Sequence, residues 1–311
     1  MRHGLTILAS TVAILLSYIP AGYALEFTYA TVDVPGALVT SLTGINNAGQ
    51  IVGVTQAPAQ AFVGSGGTFT PLSFSDGTST SALDINNNGH VVGSYFDGTN
   101  PTQGFRYDGT TYTPINSTGG GFLQASGIND TGHVVGTFAA TVGTQSSMQG
   151  FLLHPDGTFS ILSVPDSIFT DARGINNVGQ IVGRFRAGGF AERGFLYSGG
   201  IYTPIAVPGA LWTNAMGINS VGDIVGSFHD GTAEHGFHYS NNVFSIIDPE
   251  SSVLTNAWGI NDAGHIVGTF YGPTGGYHGF VASPVPLPAA LPLFVTGLGF
   301  VYLVLKRRRL A

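Results

Sequence analysis

The sequence predicts an all-β fold: a six-bladed β-propeller of four-stranded blades, closed by an N-terminal strand that completes the last blade. Three observations predict it. One ten-residue phrase is written six times, as "GINNAGQIVG" at 44, "DINNNGHVVG" at 84, "GINDTGHVVG" at 127, "GINNVGQIVG" at 174, "GINSVGDIVG" at 217 and "GINDAGHIVG" at 259. Successive copies start 40, 43, 47, 43 and 42 residues apart, the length of a four-stranded propeller blade. Finally, 47 glycines, 43% hydrophobic and only 9% charged residues suit short strands and tight turns, not a helical enzyme or a disordered chain.

Each unit divides into four strands. The first ends at the Ile-Asn pair, and a turn with glycine at its fourth position follows. Asn and Gly are expected there because both enter the left-handed backbone region that tight hairpins need. The second strand is of the "QIVG" type, such as Gln180 to Phe185, and the third carries Gly-Phe, as in Gln103-Gly104-Phe105 and Arg193-Gly194-Phe195. "DGT" at Asp108 and Asp156 reads as the next turn. The fourth strand is "TYTPI" at 111–115 or "IYTPI" at 201–205, and Pro114 and Pro204 place it at an outer edge, where a missing N–H is tolerated.

The ends of the array predict closure. After the sixth phrase the chain supplies a second strand (His265 to Phe270) and a third (277–283), but no fourth. One spare strand, "EFTYATVDVP" at 26–35, precedes the first phrase. It is expected to complete blade six and close the ring, whereas a linear solenoid would need caps.

Residues 1–24 combine a basic start at Arg2, an apolar run from Leu5 to Ile19 and small residues at Gly22 and Ala24, the pattern of a secretory signal peptide cut by signal peptidase after Ala24. Leu287 to Leu305 is an uncharged stretch of 19 residues, long enough for a transmembrane helix, followed by Lys306, Arg307, Arg308 and Arg309, a basic tip that stays cytoplasmic. The domains expected are therefore 1–24, the propeller at 25–284, and a sorting tail at 285–311. The propeller holds five arginines, no lysine and all 17 acidic residues, a formal charge of −12, which excludes electrostatic binding of nucleic acid or an anionic membrane. The absence of cysteine excludes disulfides and thiolate metal sites.

Two resemblances follow from these residues. The tail, with Val285, Pro286, Leu287, Pro288 and Ala289 before the apolar stretch and basic tip, resembles the VPLPA variant of the PEP-CTERM class of bacterial sorting signals. That resemblance implies an exosortase-type sorting protease as partner, anchoring in the inner membrane before processing, and then a cell-surface or extracellular location. Residues 27–283 resemble the bacterial HAF-type extracellular repeats, which implies export and surface location but no established chemistry.

No cofactor or metal site is expected. His90, His133 and His265 share one repeat position and so lie apart around a ring, while His235 and His238 point to opposite faces of a strand. "INDTGH" and "INDAGH" offer two adjacent oxygen-bearing residues rather than the alternating ligands of a calcium loop. Among the first strands only Asp84 and Asp171 are acids, in different blades and at different levels, so a glycosidase pair is not evident.

Function is expected on the end of the ring where loops vary. The loop between second and third strands spans 56–59 in blade one, 96–102 in blade two and 139–148 in blade three. Just inside lie Ser41, Ser81, Gln124, Asp171, Asn214 and Asn256 at one repeat position. Two residues further along come Thr43, Leu83, Ser126, Arg173, Met216 and Trp258. Trp212, Trp258 and Tyr277 add aromatic area for stacking on sugar rings. The ligand contacts predicted are Asp171, Arg173, Trp212, Asn214, Asn256 and Trp258. This reads as an exported protein that binds or scaffolds extracellular matrix polysaccharide or protein; the alternative is a secreted carbohydrate-active enzyme using the channel.

Overall fold

The computed structural model describes residues 25–74, 79–116, 121–142, 145–189 and 191–285, which form 24 strands and no helix. The expected signal peptide, the apolar stretch 287–305, the basic tip and all of the expected sorting motif except Val285 lie outside the described residues. Among the described residues no helix is long and apolar enough to cross a membrane.

A single strand, β1 (Phe27–Val32), precedes the first full unit. Blade one is β2 (Val39–Ile45), β3 (Ile51–Gln56), β4 (Gln60–Ser65) and β5 (Thr68–Leu72). Blade two is β6 (Ser79–Ile85), β7 (Val91–Phe96), β8 (Gln103–Tyr107) and β9 (Tyr112–Ile115). Blade three follows with β10 (Leu123–Ile128), β11 (Val134–Val142), β12 (Gln145–Leu153) and β13 (Phe159–Leu162). Blade four comprises β14 (Ser167–Ile175), β15 (Ile181–Ala187), β16 (Arg193–Ser198) and β17 (Ile201–Ile205). Blade five contains β18 (Trp212–Ile218), β19 (Ile224–His229), β20 (Glu234–Ser240) and β21 (Val243–Ile247). The last three strands are β22 (Leu254–Ile260), β23 (Ile266–Tyr271) and β24 (Tyr277–Pro284).

The spare N-terminal strand completes blade six: β1 pairs antiparallel with β24, from Phe27 opposite Pro284 to Val32 opposite Gly279. Neighbours within every blade are antiparallel, and a single parallel bridge, Glu234 to Leu254, links blades five and six. The expected edge prolines hold their places, Pro114 opposite Phe105 and Pro204 opposite Phe195 in outer strands. One expectation fails. Residues 139–142 and 145–148 are not loop; β11 and β12 continue pairing through Ala139–Met148 and out to Val142–Gln145. Their threonine, valine and serines suit a strand as well as a loop, and their polar composition obscured the pairing.

The repeated Gly and Phe are cross-strand partners. Gly183 lies opposite Phe195, and a Cβ on Gly183 would stand 2.8 Å from the Phe195 ring. The glycine therefore makes room for a ring that is fully buried. The same ring is buried in the other five blades, at Phe62, Phe105, Phe151, Phe237 and Phe280. Apolar clusters form between successive blades, as where Val182, Ile205 and Ala215 meet, and one cluster joins Leu42 and Phe62 of blade one to Val267 of blade six. The core thus runs around the ring without an open end.

Candidate functional site

The two ends of the ring are built differently. At the uniform end, the first asparagine of each phrase is buried. Its Oδ1 accepts from the backbone of its own turn, as Asn46 does from Ala48 N (3.1 Å) and Gln50 N (3.0 Å). Its Nδ2 donates to the carbonyl of the next blade's asparagine: Asn46 to Asn86, Asn86 to Asn129, Asn129 to Asn176, Asn176 to Asn219 and Asn219 to Asn261, at 2.9–3.2 Å. Asn261 then donates to Asn46 at 3.1 Å. Outside this circle, the next position accepts from the neighbouring blade, as Asn87 Oδ1 from Asn47 N at 2.8 Å and Asp262 Oδ1 from Ser220 N at 2.8 Å. Positive φ falls on the turn glycine, such as Gly49 (φ 75°), while the asparagine binds blade to blade.

Along the axis the first strands converge on glycine. A Cβ on Gly127 would stand 2.6 Å from the Arg173 carbonyl, and one on Gly174 would be 2.9 Å from that of Met216. Blade two alone carries a side chain here, Asp84. Its carboxylate accepts from Ile85 N at 2.8 Å and from Ile128 N of blade three at 2.9 Å. Burial raises its pKa to about 7, against the pull of these two N–H groups and with a smaller push from Asp130. Asp84 lines both axial cavities, one of about 70 Å³ beside the asparagines and one of about 40 Å³ beside Ser126, Arg173, Met216 and Trp258. Volumes of this size hold water, whereas small-molecule sites run to about 300 Å³ or more.

At the variable end, blade four holds four of the five arginines of the propeller: Arg173, Arg184, Arg186 and Arg193. Asp171, 4% exposed, anchors two of them. Its Oδ2 lies 2.7 Å from Arg173 Nη2 and 2.9 Å from Arg184 Nε, and Thr137 of blade three donates to its Oδ1. Arg184 Nη1 also reaches Glu192 Oε2 at 3.0 Å. Burial pushes the Asp171 carboxyl up, but the two guanidinium groups and the Thr137 hydroxyl outweigh it and hold the pKa below the usual carboxylate range. Arg184 and Arg186 stand over the Phe169 ring, 5.7 Å and 5.5 Å from its centre, a cation–π arrangement.

The predicted contacts divide among five places. Asp171 and Arg173 form the ion pair just described. Trp212 is at the outer end of β18, 6.0 Å from the His229 ring, and the adjoining Thr213 N donates to the Glu192 carbonyl at 3.2 Å, so blade five's tryptophan borders the blade-four cluster. Trp258 lies inside the axis, sharing the smaller cavity with Arg173, and its buried Nε1 has no protein partner among the described residues. Asn214 is buried in β18, and Asn256 sits beside Glu234, whose carboxyl burial raises and Asn256 lowers. Phe169, Arg184, Arg186 and Glu192 were not predicted. The crowding of arginines between 173 and 193 in an otherwise acidic body was the available signal. Among the described residues no group of three or more His, Asp or Glu is placed to hold a metal.

The fold and its two unlike ends define a six-bladed β-propeller. No family model matches the chain, and no curated protein matches it. Solved structures do. A triple arginine-to-alanine mutant of AofleA from Arthrobotrys oligospora matches with a TM-score of 0.53 at 11% identity, over 86% of this chain and 92% of that one. The Aleuria aurantia lectin, described as a six-bladed β-propeller with a novel fucose recognition mode, matches at 0.49 and 13% identity, over 84% and 99% of the two chains. A catalytically inactive virginiamycin B lyase from Staphylococcus aureus, with quinupristin, matches at 0.49 and 11%, over 82% and 99%. The likeness to AofleA is one of fold.

Proposed function

We propose that this chain is an exported, surface-sorted propeller that binds polysaccharide or protein of the bacterial extracellular matrix through its variable end, in the sector of blades four and five. One observation carries the reading. The uniform end spends its polar side chains on bonds between blades, while the opposite end presents Arg184 and Arg186 over Phe169, with Trp212 one residue from Thr213, whose N–H bonds the Glu192 carbonyl. Aromatic rings flanked by guanidinium and carboxylate groups suit sugar rings and their hydroxyls. Export rests on the signal-peptide pattern of 1–24, and sorting by an exosortase-type protease rests on the tail from Val285 to the basic tip. The enzyme reading drew on the channel, and axial cavities of about 40 and 70 Å³ give it little room. A glycan array probed with the purified protein, with reducing ends assayed in parallel, tests the proposal. Retention of particular glycans without new reducing ends is expected; steady release of reducing ends would favour the enzyme.

A further inference from the structure

A second site lies away from the variable end, in the seam between blades two and three. The residue after the repeated Gly-Phe normally seals such a seam: Val63, Leu152, Leu196 and Val281 each pack against an inter-blade cluster. In blade five the equivalent is His238, buried with Asp223 at 3.7 Å and the Phe27 ring at 5.6 Å. In blade two it is Arg106. Among the described residues no carboxylate stands within 4.0 Å of its guanidinium, which lies over the Gly132 turn of blade three, Nη1 being 3.9 Å from where a Cβ would be.

The seam opens here into a groove of about 380 Å³. That is within the range of small-molecule sites, about 300–1,000 Å³. Pro114, Pro155 and Phe159 give it apolar walls, and Arg106, Asn116 and His154 add polar groups. A cation between apolar walls suits an anion with a ring to stack, and the contact is local, made against the body's overall charge of −12: guanidinium takes a carboxylate by two parallel hydrogen bonds, and the walls cover the C–H face of a sugar. We propose that the groove binds a uronate residue of an acidic polysaccharide, its carboxylate on Arg106. The site does not depend on the variable end and can stand or fall without it.

Calorimetric titration of the full chain with digalacturonate, with galactobiose as neutral counterpart and with inorganic phosphate tests this. Digalacturonate is expected to bind about tenfold or more tightly than galactobiose, and Arg106→Gln to lose about tenfold or more of that affinity, with Arg106→Lys between the two. If Arg106→Gln does not fold, the Nε–Hε resonance of wild-type Arg106 must move with digalacturonate and stay fixed with galactobiose. Equal binding of charged and neutral sugars, or wild-type affinity in Arg106→Gln, would overturn the proposal. So would phosphate binding as tight as digalacturonate, which would mean a plain anion site.

Discussion

Asn261 Nδ2 donates to the carbonyl of Asn46, 215 positions earlier in the chain, at 3.1 Å. The bond joins the sixth blade to the first and completes a circle of six equivalent contacts. Replacing Asn261 with Ala removes this donor, leaves the Asn46 carbonyl short of a partner and frees the turn N–H groups that Asn261 Oδ1 accepts from Ala263 and His265. A loss of about 1–3 kcal/mol is expected, read as a lower melting temperature with unchanged glycan binding. Asn176→Ser, elsewhere in the same circle, should behave alike.

Closure also depends on β1. Deleting residues 26–35 exposes the β24 edge that now pairs with Phe27–Val32, and removes Val32 and Val34 from the cluster between blades six and one. A protein starting at Gly36 should melt well below one starting at Leu25 and aggregate through the bare strand edge. Equal melting temperatures and solubility would contradict the role given to β1.

Two buried carboxylates give stability opposite dependences on pH. Asp84 has its pKa raised from 3.8 to about 7, so the folded chain binds a proton that the unfolded chain releases, and stability falls as pH rises across that window. The full effect is on the order of 4 kcal/mol. Asp84→Gly, the residue of the other five blades, should flatten the pH 4–7 slope and melt higher than wild type at pH 8. Asp171 is the reverse case: its pKa is lowered, so its contribution is present above the usual carboxylate range and is lost as pH falls below it. Asp171→Ala takes from Arg173 its carboxylate and leaves Arg184 with Glu192 alone, and should cost about 3 kcal/mol at neutral pH.

The two tryptophans should separate stability from binding. Trp258 lines the axial cavity, so Trp258→Ala should lower the melting temperature and leave affinity alone. Trp212 borders the arginine cluster at the variable end, and Trp212→Ala should weaken glycan binding by about thirtyfold if it is an anchoring aromatic, with little effect on melting. Melting curves and binding isotherms on the same two variants check both.

The fold was legible because its signals are local and repeated. Alternating apolar residues, the Gly-Phe pair and the turn glycines fall at a fixed spacing, and the missing strand after 283 matched the spare one before 36. The asparagine circle was not legible. An asparagine before a turn glycine satisfies the turn rule by itself, and nothing nearby reveals that its amide reaches a carbonyl 40 to 47 positions away. Asp171 and Arg173 could be found because they break the repeat on the same strand. Their partner Arg184 comes from another strand of blade four and Glu192 from the connection just before β16, and Arg106 matters only because the groove beside it is open. Contacts across strands and seams are set by packing that no single window contains.

On the function proposed above, the asparagine circle closes the ring, and the variable end in blades four and five takes the glycan selected on the array. Hydrogen exchange of the full chain, with and without a glycan selected on the array, tests it most directly. Slowed exchange is expected in the peptides carrying Phe169, Arg184, Arg193 and Trp212, and none in the turns after Asn46, Asn86 or Asn176. Protection confined to those turns, with blades four and five unchanged, would contradict it.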